Sequence, residues 1–202
     1  MPRILFIRHG HSLSQNEKEL VTGRCPEFPL SDKGRKQAEE MSKGLQKNSI
    51  HKVYTSPCKR TIETAEFIAK FLNTSYTVED TLTERSQGDF EMRPKSEVYT
   101  SETIRLIHAD QFRWAPPGGE SLEDVSNRLR TFLQRLEKLD EHKYYLCVTH
   151  LMLLWSVFYV ATGCNHKILP QLEVENCAQV EIFFDAPETI KLLRCNQSPV
   201  QL

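Results

Sequence analysis

The first apolar run of this chain ends directly in an arginine and a histidine. Residues 4–7 read Ile-Leu-Phe-Ile, a run short enough for a strand that is buried on both faces. Arg8, His9 and Gly10 follow at once. Sheets whose strands are covered on both faces bind their ligands at the carboxyl ends of those strands. The run therefore predicts an α/β fold, with an anion-binding guanidinium and a nucleophilic imidazole at one strand end. These few residues alone fit a solvated loop equally well.

Helical and strand patterns alternate along the rest of the chain. Helical spacing predicts helices over 31–46, 56–72, 97–110, 120–139 and 151–162, and short apolar runs predict strands over 3–9, 52–55, 76–78, 144–149, 180–184 and 190–193. Ser31 is the expected N-cap of the first helix. The alternation indicates a three-layer α/β/α sandwich with a mainly parallel central sheet. The length of the chain predicts a single domain over 1–202.

Composition argues against several classes of protein. The chain is 39% apolar and 26% charged with a formal net charge of −1, so neither disorder nor binding to nucleic acid or an anionic membrane is indicated. The longest apolar run, 151–162, is too short to span a bilayer, and no signal peptide is recognised. Six cysteines are scattered without a CxxC pair. This usage favours reduced thiols in a cytoplasmic protein.

A second strand ends as the first one does. Strand 144–149 is followed by His150 at a helix start, and Arg60 lies one helical turn beyond the end of strand 52–55. Because parallel strands end on one edge of a sheet, these side chains are expected to meet. Glu84, after the third strand, is expected to reach the same edge. The expected pocket holds Arg8, His9, Arg60, Glu84 and His150.

The composition of this pocket predicts a phosphate site that works without a metal. Guanidinium donors match phosphate oxygens, and a helix start adds main-chain N–H groups with a positive dipole end. The sequence pattern shows no cluster of carboxylates that would bind Mg²⁺. Arginines can neutralise the negative charge of the phosphate that a metal ion would otherwise neutralise. We therefore expect no cofactor and a small phosphorylated substrate as the partner. The chain is expected to be a monomer or a homodimer.

Six sequence blocks resemble the histidine phosphatase superfamily, the group that contains the cofactor-dependent phosphoglycerate mutases. In order they include Arg8-His9-Gly10, Thr22-Gly23-Arg24, Thr55-Ser56-Pro57, Thr83-Glu84, Pro117-Gly118-Gly119-Glu120-Ser121 and Val148-Thr149-His150. Arg-His-Gly alone is a weak signal, but all six blocks in family order are a strong one. The resemblance implies a phosphoglycerate mutase-like fold, with segment 83–117 as a cap-like insertion over the site.

The resemblance also implies roles for individual residues. His9 is the expected nucleophile, which carries a phosphohistidine, and Glu84 is the expected general acid and base. Arg8, Arg60 and His150 are expected to hold the phosphoryl oxygens. The expected substrate contacts are Asn16, Thr22, Gly23 and the main-chain N–H of Leu151. Whether Gln15 or Asn16 faces the site stays open, because the family's usual asparagine position holds Gln15 here.

The expected activity is hydrolysis of phosphomonoesters of small metabolites. Block 88–93 is similar to alpha-ribazole phosphatases and fructose-2,6-bisphosphatase-like members, and the short cap favours an open-cleft phosphatase. One alternative is a phosphoglycerate mutase, an isomerase. Another is a catalytically weak phosphate-binding module, because Leu151 and Met152 replace the family's small residues. Several basic residues of the cap are either contacts for a second anionic group or parts of a solvated helix face: Lys95, Arg105, His108 and Arg113.

Overall fold

The computed structural model describes residues 2–46, 49–138, 143–186, 189–195 and 198–199. The elements in chain order are β1 (Arg3–Arg8), α1 (Asp32–Lys43), β2 (Ile50–Thr55), α2 (Lys59–Leu72), β3 (Tyr76–Val78), α3 (Lys95–Val98), α4 (Ser101–Ala109), α5 (Leu122–Glu137), β4 (Tyr144–Thr149), α6 (Leu151–Thr162), β5 (Gln179–Ala186), β6 (Thr189–Cys195) and β7 (Ser198–Pro199). Short 3-10 turns lie over Leu13–Asn16, Asp80–Leu82, Gly88–Phe90 and His166–Gln171.

The strands form one seven-stranded sheet in the order β3-β2-β4-β1-β5-β6-β7. The first four strands of that order are mutually parallel, and β5 to β7 continue the sheet in antiparallel fashion. The predicted three-layer fold with a mainly parallel central sheet is confirmed. Because β1 and β4 are neighbours in register, with Arg8 opposite Thr149, the residues that follow these two strands meet.

The core is split between the two faces of the sheet. Along β1, Ile4 and Phe6 pack into one apolar cluster and Leu5 and Ile7 into the other, and all four are at most 3% exposed. Helices α5 and α6 cover the first face, and α1 and α2 cover the second. An apolar run without polar alternation is what a strand covered on both faces requires.

Helix boundaries follow the capping residues. Ser31 caps α1 as predicted, since its hydroxyl accepts the N–H of Gly34 at 3.2 Å. The single helix predicted over 97–110 is wrong: two helices occupy this segment, because Thr100 is extended and its hydroxyl caps α4 by accepting the Thr103 N–H. Helix α2 starts at Lys59 rather than at the predicted position 56, so Ser56 lies outside the helix.

Helix α6 has the predicted bounds and is a core helix. Its central residues, from Leu153 to Phe158, are buried against the first apolar cluster. Within the described ranges, no helix combines the length and apolarity needed to cross a membrane. All six cysteines are free thiols.

Candidate active site

The carboxyl ends of β1 and β4 bring His9 and His150 together. The N–H of His9 donates to the carbonyl oxygen of Thr149 at 3.0 Å, which continues the β1–β4 pairing by one residue. The two imidazole rings lie edge to face with their centroids 5.2 Å apart. The expected proximity of these side chains, which are 141 positions apart in the sequence, is therefore present in the structure.

The His9 ring is held in one tautomer. Its Nδ1 lies 2.7 Å from the carbonyl oxygen of Gly10, and since a carbonyl only accepts, Nδ1 carries the proton and Nε2 keeps its lone pair. Burial, followed by the positive charges of Arg60 and Arg8, lowers the pKa of His9 well below its usual range. The imidazole is therefore neutral at physiological pH. A neutral ring with a free Nε2 is the form that a nucleophilic histidine needs.

Gly10 allows the loop after β1 to approach helix α1 closely. A Cβ on Gly10 would lie 2.5 Å from the carbonyl oxygen of Gly34, and a Cβ on Gly34 would lie 1.9 Å from the carbonyl oxygen of His11. Both glycines are thus required by packing. Their contact fixes the main chain that orients the His9 ring.

Two guanidinium groups stand beside His9. Arg60 is 2% exposed and donates to the carbonyl oxygens of Cys25 at 2.8 Å and Gly23 at 3.1 Å. Arg8 donates to the carbonyl oxygen of Val174, and its Nε is buried without a hydrogen-bond partner. Among the described residues, neither arginine forms a salt bridge. Two cations without a paired carboxylate make a site that favours an anion.

These side chains open into a cleft of about 460 Å³. The predicted site residues on its wall are Arg8, His9, Thr22, Gly23, Arg60, Glu84 and Leu151. The wall also includes Gln15, the alternative to Asn16, and Lys95, one of the basic residues of the cap. The remaining wall residues were not predicted as site residues: Ser14, Glu17, Lys18, Leu20, Val21, Gln87, Tyr99 and Met152. The predicted residues thus converge on one cleft, and segments 14–21 and 87–99 supply most of the remaining wall.

His150 lies behind this wall. It is fully buried, and its Nε2 is 2.8 Å from the hydroxyl of Ser56, which also accepts the N–H of Cys58. The Ser56 hydroxyl can donate its own proton to Nε2, and in that tautomer the proton of the ring is on Nδ1. That Nδ1 is buried and has no partner. His150 thus has one ring nitrogen without a hydrogen-bond partner, and its ring lies beside that of His9.

The structure does not bring Asn16 to the cleft. Asn16 is exposed at the end of the 3-10 turn, and Gln15 lines the cleft instead, because one step along such a turn rotates the side chain by about a third of a revolution. The side-chain oxygen Oε1 of Gln15 accepts a hydrogen bond from the Asn176 side-chain amide at 3.1 Å, and the same amide donates to the main-chain carbonyl oxygen of His9 at 3.0 Å. Asn176 was missed because it follows no motif and lies in an irregular segment before β5.

Glu84 enters the cleft from the segment after β3. Its carboxylate accepts the N–H of Arg85 at 2.9 Å and the N–H of Met152, in the first turn of α6, at 3.2 Å. Burial raises the pKa of Glu84 above its usual value, although the Arg85 hydrogen bond and the charges of Arg60 and Arg8 oppose the shift. This carboxyl is suited to carry a proton that it then gives away.

Two further arginines hold the main chain of Glu84. Its carbonyl oxygen accepts Nε of Arg24 at 3.0 Å and Nη2 of Arg128 at 3.2 Å. The carboxylate of Glu120 pairs with both of these arginines, at 2.6 Å and 3.0 Å, and accepts the N–H of Ser86 at 2.9 Å. Sequence reasoning missed Arg128, because a charged residue on an amphipathic helix carries no signal that separates a brace from a solvated side chain.

The fold and the site together define a phosphate-handling α/β protein with a histidine at its centre. The model of the histidine phosphatase superfamily (branch 1) matches residues 4–197, and the chain belongs to that family. The predicted family resemblance is confirmed.

A relative agrees with this assignment, and two solved structures share the fold. Phosphoserine phosphatase 1 of Hydrogenobacter thermophilus is 29% identical over 172 residues, which are 82% of this chain and 78% of the relative. Mycobacterial glucosyl-3-phosphoglycerate phosphatase has the same fold, with a TM-score of 0.84 and 22% identity over 97% of this chain and 99% of that chain. The alpha-ribazole phosphatase from Shigella flexneri superimposes with a TM-score of 0.82 and 23% identity over 99% and 98% of the two chains.

Proposed function

We propose that this protein hydrolyses phosphomonoesters of small metabolites through a phosphohistidine at Nε2 of His9. The observation that carries the proposal is the state of the His9 ring. Its Nδ1 proton is held by the Gly10 carbonyl, its Nε2 is free, and Arg8 and Arg60 stand beside it without a salt bridge to any residue that the structure describes. Membership of the histidine phosphatase superfamily supports the same reaction.

In the first step, Nε2 of His9 attacks the phosphorus atom. The Nε2–P bond forms, the P–O bond to the alcohol breaks, and Glu84 gives its proton to the leaving oxygen. Arg8 and Arg60 stabilise the charge on the equatorial oxygens. The Nδ1–H of His150, buried without a partner beside the His9 ring, supplies one more donor.

In the second step, water cleaves the phosphohistidine. Glu84, now a carboxylate, takes a proton from water while the water oxygen bonds to phosphorus and the Nε2–P bond breaks. Inorganic phosphate leaves, and both His9 and protonated Glu84 are restored. Over both steps, the P–O bond of the ester is replaced by a P–O bond to the oxygen of water, and the Nε2–P bond is formed and broken once. No cofactor is consumed.

The shape of the cleft supports hydrolysis rather than phosphoryl transfer to a second substrate. Segment 83–117, which we propose is a cap-like part of the same domain, contributes only Glu84, Gln87, Lys95 and Tyr99 to the wall. The cleft is open to solvent, since its wall residues Glu17, Lys18 and Lys95 are exposed, and water therefore has access to the phosphoenzyme. The free thiols support a cytoplasmic location.

Labelling of the enzyme tests the proposal. A phosphomonoester with a labelled phosphoryl group, quenched in alkali within the first turnovers, should leave label on His9 and release inorganic phosphate at later times. His9→Ala should abolish both label and release, and His108→Ala, an exposed histidine away from the cleft, should change neither. Isomerisation of a phosphoglycerate without phosphate release would identify a mutase. Phosphate binding without turnover at any pH between about 4 and 8 would identify a binding module.

A further inference from the structure

The carbonyl groups that hold Arg60 belong to one short loop, residues 23–25. Nη2 of Arg60 donates to the carbonyl oxygen of Gly23 at 3.1 Å, and Nη1 donates to that of Cys25 at 2.8 Å. Because these hydrogen bonds engage both terminal nitrogens, they fix the plane of the guanidinium group. The orientation of Arg60 in the cleft therefore depends on the position of the loop.

The carboxylate of Glu91 binds the same loop. Its Oε1 accepts the main-chain N–H of Arg24 at 3.2 Å, and its Oε2 accepts the thiol proton of Cys25 at 3.4 Å. Burial and the hydrogen bond to Glu91 raise the pKa of Cys25 to about 11, so the thiol keeps the proton that it donates. Arg24 lies between the two residues whose carbonyl groups bind Arg60. Glu91 therefore holds the stretch of main chain that presents those carbonyl groups.

The main chain around Glu91 is itself held beside the chain that leads into the loop. Oε1 of Glu91 also accepts the N–H of Gln87, four residues earlier, at 3.0 Å. Directly after Glu91, residues 92–95 pair with residues 19–21 through main-chain hydrogen bonds. In these bonds the N–H of Val21 donates to Arg93, the N–H of Met92 to Val21 and the N–H of Lys95 to Glu19, at 3.0, 2.7 and 2.7 Å. The carboxylate is thus anchored on both sides of its position in the sequence.

Glu91 acts on the loop and not on the cleft directly. It is not among the residues that line the cleft, and within the described ranges no salt bridge involves it. By contrast, Glu97 and Glu102, further along the same segment, pair with arginines. The N–H and thiol donors of the loop and of Gln87 stabilise the partly buried carboxylate in place of a cation.

We infer that Glu91 is a positioning residue for Arg60: by holding residues 23–25, it directs the guanidinium group at the phosphoryl oxygens. The inference rests on the proposed function, because it takes Arg60 as a ligand of the phosphoryl group. It also gives a role to the buried thiol of Cys25, which the reaction at His9 does not use. That thiol supplies one of the hydrogen bonds through which Glu91 holds the loop.

A double-mutant cycle on the binding of inorganic phosphate tests the inference. Glu91→Ala should raise the Kd for inorganic phosphate about tenfold, since Arg60 is then no longer held in the orientation that binds the anion. In an Arg60→Ala background, the same substitution should change Kd by less than about twofold, because the group that Glu91 positions is gone. In a Glu84→Gln background, the full effect should persist, which excludes a route through the general acid.

Conservative variants separate positioning from a general loss of structure. Glu91→Gln keeps an oxygen for the N–H groups of Arg24 and Gln87, so its Kd should lie close to that of the wild type. Cys25→Ala removes one donor only and should raise Kd, whereas Cys25→Ser keeps a donor and should raise it less; this pair carries the test if Glu91→Ala does not fold. Glu97→Ala, at an exposed carboxylate paired with Arg93, is the matched control and should leave Kd unchanged.

Calorimetry with inorganic phosphate measures these Kd values without any turnover, so the inference and the proposed function fail separately. Absence of label on His9 would overturn the proposed function, while a Glu91 effect that depends on Arg60 would still support the positioning role. An unchanged Kd in Glu91→Ala, or an equal rise with and without Arg60, would overturn the inference. A lower free energy of unfolding in Glu91→Ala, with Kd unchanged in the folded protein, would show a structural role only and would overturn it too.

Discussion

The carboxylate of Glu84 accepts the main-chain N–H of Met152 at 3.2 Å, in the first turn of the helix that follows His150. The sequence led us to expect that this helix start would face the phosphate through Leu151. The structure gives the next N–H, that of Met152, to the Glu84 carboxyl group, and Leu151 lies in the cleft wall. The bulky side chains at 151 and 152 are compatible with this arrangement, because the donor belongs to the main chain.

Replacing Glu84 by glutamine should slow the enzyme most for esters with basic leaving groups. Glutamine has no proton to give, so alkyl phosphates should lose about 10²- to 10⁴-fold in kcat, and an aryl phosphate with an acidic phenol should lose much less. A series of leaving groups measured for wild type and Glu84→Gln checks this. Glu97→Gln, at an exposed residue paired with Arg93, is the matched control. Equal slowing of all esters would place the acid elsewhere.

The pH profile should have a broad acidic side and fall toward alkaline pH. Burial keeps the pKa of His9 well below its usual range, so the nucleophile stays neutral as pH falls through about 6.5. Burial raises the pKa of Glu84, so its acid form persists above the pH at which an ordinary glutamate ionises and is lost as pH rises through that raised pKa. We expect kcat for alkyl phosphates to show this alkaline limb. An acidic limb near 6.5 would show that His9 is not held neutral.

Glu120→Gln should move the alkaline limb to lower pH. Without the Glu120 charge, Arg24 and Arg128 lose their counter-ion beside the Glu84 carbonyl, and their positive charge then favours the Glu84 carboxylate together with Arg60 and Arg8. The measurement is kcat against pH for an alkyl ester, with Glu123→Gln as a control at a partly exposed residue of α5 that pairs with Arg113. A uniform loss of kcat with an unmoved limb would indicate a structural role only.

Arg60→Ala should cost transition-state stabilisation and folding stability together. Loss of one fixed donor to the phosphoryl oxygens should lower kcat by about 10²- to 10³-fold. The carbonyl oxygens of Gly23 and Cys25 also lose their partner, which should lower the free energy of unfolding by about 1–3 kcal/mol. Turnover at saturating substrate and urea titration separate the two effects. Lys59→Ala, at the exposed neighbouring position, should change neither quantity.

Gly34→Ala should destabilise the protein more than Gly44→Ala. A Cβ at position 34 would meet the His11 carbonyl oxygen at 1.9 Å, whereas at position 44 the nearest atom is 3.4 Å away. Overpacking of this kind costs about 1–3 kcal/mol. Urea titration of both variants checks the difference. Equal free energies of unfolding would show that the loop after β1 can move away from a Cβ at position 34 without loss of stability.

The convergence of His9, His150, Arg60 and Glu84 was predictable because it depends on topology alone. Each follows a strand, and the carboxyl ends of parallel strands share one edge. The direction of side chains within short turns was less predictable. The geometry of the 3-10 turn over Leu13–Asn16 determines that Gln15, and not Asn16, lines the cleft. The split between α3 and α4 depends on the side chain of Thr100, which caps a helix inside a segment with continuous helical spacing.

Residues whose side chains bind distant main-chain carbonyl groups could not be predicted from the sequence. Asn176 reaches His9 only because the chain returns to the central strands in antiparallel fashion through β5. Arg128 lies on an amphipathic helix, where its contacts with the carbonyl oxygens of residues 81, 83 and 84 leave no trace in the spacing of apolar residues. Long-range hydrogen bonds to carbonyl groups have no signature in side-chain composition.

The pairing of residues 19–21 with residues 92–95 also bears on how substrate preference can diverge in proteins of this fold. Since the two segments share their hydrogen bonds, a change in the length of one displaces the other. To give this fold a new substrate specificity, both segments would therefore have to be replaced together. In evolution, an insertion or deletion in either segment likewise changes the position of the other.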